Sequence, residues 1–172
     1  MGILEGMDLK DCIVIVNEFA VKNELSSDNR VRSYIMEYMT DGSVAFDVAF
    51  DNNKVVLDRD DLNKNANEIQ KLFDNGSPVS TMTISFDDSY LKDNGLSRDD
   101  LGESDQLTLC HAVQHGIKRM NCVGYSDLRY VGSIHADTVS VYCRVVMVNA
   151  GDGKLSQEMQ HDLRCGIDDY LG

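Results

Sequence analysis

The chain has 172 residues and a mass of 19.2 kDa, enough for one well-buried core and too few for two comfortable ones. Hydrophobic residues make up 42% and charged residues 26%, which excludes a disordered or collagen-like chain. Lysine and arginine number 16 against 29 acids, a formal charge of −13 that repels free nucleic acid and anionic lipid, so strong binding of either is not expected. The longest apolar stretch, Val141 to Val148, is broken by Arg144, so no run approaches the roughly 18 residues of a membrane span. The amino-terminal MGILEGMDLKD carries acids where a secretory leader needs lysines, and a cytoplasmic location is expected. Five cysteines without a C-x-x-C pair are expected as reduced thiols that pack as small hydrophobes.

In chain order, β-branched residues crowd Cys12 to Val21 and predict a first strand. Val31, Ile35 and Met39 recur at four-residue spacing, predicting a helix over Arg30 to Met39 capped by Asp28 or Asn29. Alternation from Ser43 to Leu57, broken by Asp51-Asn52-Asn53, predicts a β-hairpin. Leu62, Ile69, Leu72 and Phe73 fit a helix over Asp60 to Asp74, ended by Asn75-Gly76 and Pro78, and a strand follows at Val79 to Phe86. The segment Asp87 to Asp105 holds seven acids against Lys92 and Arg98 and reads as a solvated, partly helical loop. A helix over Asp105 to Met120 has the stripe Leu109, Val113, Ile117 and Met120. Strands at Leu128 to His135 and Val139 to Asn149 precede a last helix, capped by Ser156, with the stripe Met159, Leu163, Ile167 and Leu171. The order predicts a single α+β domain over 1–172, two layers deep, with a mainly antiparallel sheet and helices packed on one face.

Chemistry concentrates at the late strands, in Ser133-Ile134-His135-Ala136-Asp137-Thr138 followed by Val139-Ser140-Val141-Tyr142-Cys143-Arg144-Val145. With Arg32 to Met39, Thr83 to Phe86, Tyr90-Leu91-Lys92 and Asn94-Gly95, this text resembles the nuclease domain of plasmid mobilisation relaxases of Gram-positive bacteria over about Arg30 to Leu171. The resemblance implies a pocket in which three histidines hold a divalent metal against the scissile phosphate while a tyrosine attacks. His135 matches the first metal position and Asp137 its companion, but the positions seven and nine residues after His135 are Tyr142 and Arg144. Arginine has no lone pair to give and stays protonated, so no metal and no other cofactor is expected.

Strand alternation puts Tyr142 and Arg144 on one face, with His135 if a tight turn joins the strands. There an arginine can neutralise a phosphate while histidine and tyrosine move protons; the plainer alternative pairs Arg144 with Asp137 and leaves Tyr142 as packing. Tyr34 and Tyr38 match the region where the family keeps tyrosines, and either is a candidate former nucleophile or amphipathic packing. His111 and His115 share a helical face but lack a third ligand in the sequence pattern and are expected as surface residues.

Three functions compete. The first is an acidic mobile-element protein that binds and inhibits a nucleic-acid enzyme with a basic groove, most concretely an anti-CRISPR inhibitor of a Cas9-type effector and its guide RNA. Its contacts would come from Asp47, Asp51, Asp87, Asp88, Asp99, Asp100 and Glu103. The second is a metal-independent nuclease built from His135, Asp137, Tyr142 and Arg144 that shortens RNA, including guide RNA, or single-stranded DNA. The third is a non-catalytic accessory of a plasmid transfer complex.

Overall fold

The computed structural model describes residues 8–20, 30–38, 45–124, 129–136, 140–148 and 155–172, with the side chains of 18–20, 38, 45–48 and 121–124 outside the description. A short helix α1 (Leu9–Cys12) leads into β1 (Ile13–Ala20), followed by α2 (Arg30–Tyr38), β2 (Ala45–Asp51), α3 (Arg59–Asp74) and β3 (Val79–Phe86). Then come α4 (Asp88–Asp93), a 3₁₀ turn (Arg98–Asp100), α5 (Glu103–Gly124), β4 (Arg129–Ala136), β5 (Val141–Val148) and α6 (Gln157–Leu171). The five strands form one antiparallel sheet in the order β1-β3-β5-β4-β2, which gives the α+β class that the pattern implies.

The main helical layer is α5 and α6, laid over one face. Met82, Ile84 and Phe86 of β3, Tyr130 and Ile134 of β4, and Val141, Cys143, Val145 and Met147 of β5 meet Leu109, Val113, Ile117 and Met120 of α5 there. The sequence stripe of α5 is thus the buried face, with all four of its residues at 0% exposure. Helices α5 and α6 approach closely because glycines face each other: a Cβ on Gly166 would lie 2.6 Å from the Cα of Gly116. Buried Arg164 of α6 donates from Nε to the Ile13 carbonyl at 2.8 Å, tying that helix to the start of β1, and burial lowers its pKa.

A smaller pair, α2 and α3, is added on the opposite face. Val31, Ile35, Leu62, Ile69 and Phe73 cover Val79, Val131, Val146 and Val148. Arg32 joins the pair through hydrogen bonds to Asn63 and Asn67, both 2.7 Å, while Arg129 of β4 is ion-paired with Glu68 of α3.

The expected hairpin from Ser43 to Leu57 is shorter than its alternation suggests. Its return arm is a single bridge, Phe50 to Val55, closed by Asp51 N–H to Lys54 C=O at 2.9 Å and Leu57 N–H to Ala49 C=O at 2.8 Å. Val56 takes a left-handed φ of 60° and swings the chain to Asp58, which caps α3, so β2 finds its long partner in β4 instead. In the acidic segment, Tyr90, Leu91 and Leu96 are buried anchors under a polar outer surface. Ser156 caps α6 as expected, its hydroxyl accepting from Met159 N–H at 3.2 Å. The proposed cap for α2, at Asp28 or Asn29, lies outside the described residues. No helix among the described residues is long and apolar enough to cross a membrane.

Candidate functional site

Antiparallel register lines up two rows, polar except at the β1 edge, on the sheet face away from α5 and α6, beside the patch that α2 and α3 cover. One row runs Val14, Ser85, Tyr142, His135; the next runs Val16, Thr83, Arg144, Ser133. These are alternate residues of four strands, so the pleat sends them to one side while Ile15, Ile84, Cys143 and Ile134 go to the α5 side. His135, Tyr142 and Arg144 therefore share a face, as strand alternation predicts.

The imidazole of His135 is at 0% exposure. Its Nε2 shares a hydrogen bond of 2.7 Å with the hydroxyl of Ser133, itself buried two residues earlier on the same strand. Tyr142, directly across the ladder, lies nearly parallel over the imidazole, with 5.3 Å between ring centroids and 7° between planes. The Arg144 guanidinium carbon lies 5.5 Å from the centre of the Tyr142 ring, within cation–π range. The outcome is a stack of guanidinium, phenol and imidazole, with Arg144 and Tyr142 partly open to solvent and the imidazole at its inner end buried.

The sequence model of the MobL relaxases matches residues 7–164, nearly the whole chain. The chain belongs to the MobL relaxase family. Searches of curated proteins and of solved structures found no match.

The described residues around His135 in this MobL-family chain do not fit the divalent ion that the resemblance implies. A cation at His135 Nε2 would have to displace the Ser133 hydroxyl, beneath the Tyr142 ring and near a fixed positive charge at Arg144. Among the described residues no three His, Cys, Asp or Glu side chains form a group able to hold a metal. Asp137 lies outside the described residues.

The other predicted positions are dispersed. Tyr34 packs from α2 against the smaller apolar cluster, on the same sheet face as His135. Tyr38 and Asp47 lie on α2 and β2, and their side chains are outside the description. Asp51 is engaged locally: its carboxylate accepts from the backbone N–H of Asn53 and Lys54 at 2.8 and 2.9 Å and from the Asn65 amide at 3.1 Å. Asp87 caps α4, accepting from Ser89 and Tyr90 N–H, and Asp88 pairs with Arg98 at 3.2 Å. Asp99, Asp100 and Glu103 remain turned to solvent, Asp99 with its side chain 82% exposed.

Asp87, just after β3, lies beside α1, its N–H donating to the Cys12 carbonyl at 2.9 Å. Desolvation first, then the charges of Asp87, Asp11, Asp168 and Asp8, raise the pKa of Cys12. Nearby, buried Tyr90 donates its hydroxyl to Asp168 at 2.6 Å, and desolvation with that carboxylate pushes the phenol far above its ordinary range. Cys110 and Cys143, buried at the interface of α5 and the sheet, have thiol pKa values raised by desolvation, that of Cys110 to about 12.

Sequence reasoning missed Ser133 as the partner of His135. The available signal was parity, since a residue two before His135 on a strand must share its face. It also missed Thr83 and Ser85 as neighbours of Arg144 and Tyr142, because strand order in a sheet is not written in any local spacing.

Proposed function

We propose that this chain is a relaxase scaffold redeployed as a binding protein, which docks on a nucleic-acid enzyme with a basic groove and inhibits it, in its most concrete form a Cas9-type RNA-guided nuclease. The observation that carries the reading is the enclosure of His135, hydrogen-bonded to Ser133 and covered by Tyr142, itself beneath Arg144, where metal chemistry needs an open imidazole. The formal charge of −13 supports the docking role, since a negative surface is drawn to the channel that holds a guide heteroduplex. Asp99, Asp100 and Glu103, exposed on the acidic segment after β3, are the contacts we assign to the partner.

The experiment is DNA cleavage by a Cas9-type effector with labelled guide RNA, with and without the purified chain. The proposal expects lost DNA cleavage with an intact guide, and recovery of cleavage when Asp99, Asp100 and Glu103 are changed together to lysine. Unimpaired cleavage at excess chain overturns the effector as partner.

A second reading, metal-independent cleavage of RNA, is favoured by one specific contact: the stack joins an imidazole, a phenol and a guanidinium, the three groups that proton transfer and phosphate neutralisation require. Under this reading the guide is shortened in the presence of chelator, and His135→Ala abolishes the shortening.

A further inference from the structure

On the α5 side of the sheet, away from His135, a cleft of about 560 Å³ opens between α5, the turn after β2 and the end of α6. One wall is a single face of α5, with His111, His115 and Lys118 at successive turns. Tyr170 of α6 closes one side, 6.2 Å from the His111 ring at 25° and 5.9 Å from the His115 ring at 44°, with 44% of its own surface open. The far wall is the turn carrying Asn53, which Gln114 of α5 pins by donating to the Asp51 carbonyl at 2.8 Å. Two of the four histidines of a chain with net charge −13 are gathered here beside a lysine.

We propose that this cleft binds a nucleotide, a planar heteroaromatic ring joined to a phosphate. The three aromatic rings supply flat faces on which a base can stack, Asn53 supplies amide donor and acceptor for its edge, and the Lys118 ammonium takes the phosphate. The volume falls within the roughly 300–1,000 Å³ usual for small-molecule sites and suits one nucleotide rather than a duplex. The pinned turn means that the far wall exists before the ligand arrives. The inference is independent of the reading of His135, which lies on the other face of the sheet.

Calorimetric titration of the full chain with adenosine monophosphate, adenosine, inorganic phosphate and a short thymidine oligonucleotide tests it. Saturable binding of the monophosphate with a Kd below about 1 mM is expected, with adenosine and inorganic phosphate each at least about tenfold weaker. Tyr170→Ala should weaken the monophosphate about fivefold or more through the lost stack, and Lys118→Gln should weaken it while leaving adenosine unchanged. Both substituted residues are surface-exposed, so an unchanged melting temperature shows that each variant is folded. Absence of saturation, equal binding of adenosine or phosphate, indifference to both substitutions, or binding of the oligonucleotide alone would each overturn the proposal.

Discussion

Replacing His135 by alanine should destabilise the protein strongly, because the imidazole is built into the sheet. Its removal leaves the Ser133 hydroxyl buried without its 2.7 Å partner, a loss worth about 1–3 kcal/mol. It also removes the stack on Tyr142, worth about 0.5–1.5 kcal/mol, and opens a hole at a site with 0% exposure. The sum is roughly 3 kcal/mol, or about 10 °C in melting temperature for a chain of this size. Urea unfolding followed by circular dichroism, with the denaturant slope compared between variants, measures it. Adding Ser133→Ala to His135→Ala should return part of the loss, since the orphaned hydroxyl goes too, whereas two independent sites would give additive losses. A loss under about 0.5 kcal/mol for His135→Ala would refute the reasoning, by showing that the imidazole is not held as described.

Other expectations concern the scaffold. Gly166→Ala places a Cβ 2.6 Å from the Gly116 Cα, so α5 and α6 must separate, and a loss of about 1–3 kcal/mol is expected in the same unfolding assay; an unchanged midpoint would contradict that helix contact. Val56→Gly relieves a β-branched residue at φ 60° that is 46% exposed, and should stabilise by about 0.5–1 kcal/mol; destabilisation would mean that the turn is not strained. Thiol labelling mapped by mass spectrometry should modify Cys165 in the native protein and reach Cys12, Cys110 and Cys143 only in denaturant. The Cys110 pKa, raised to about 12 by burial, also sets a pH trend. Between the ordinary thiol value of 9.0 and about 12 the unfolded thiol loses its proton while the folded one keeps it, so this residue's contribution to stability falls as pH rises through that window. That component should vanish in Cys110→Ala.

The sequence was legible where one period governs one element. The spacing of Leu109, Val113, Ile117 and Met120 located the buried face of α5, and the alternation Tyr142, Cys143, Arg144 located the polar face of β5, because pleat and helix pitch act on neighbours in the chain. The return arm of the hairpin expected at Ser43 to Leu57 is cut short because, although Val55 and Val56 have high strand propensity, the nearby cap at Asp58 demands a reversal. The helices over the second face were legible as helices but not as a second cover, since which sheet face an amphipathic helix chooses depends on long-range pairing. For the same reason His135, Tyr142 and Arg144 could be placed on one face, while the enclosure of the imidazole by Ser133 and Tyr142 could not be read. His111 and His115 were legible as a helical pair, but Tyr170, 55 or more residues further on, is the ring that turns them into a wall of a cleft.

Manganese(II) titration of the metal-free chain tests the proposal that the enclosed His135 holds no ion. No saturable heat is expected in wild type, and no difference between wild type and His135→Ala. One-to-one binding that disappears in His135→Ala, in a variant still folded by circular dichroism, would contradict it.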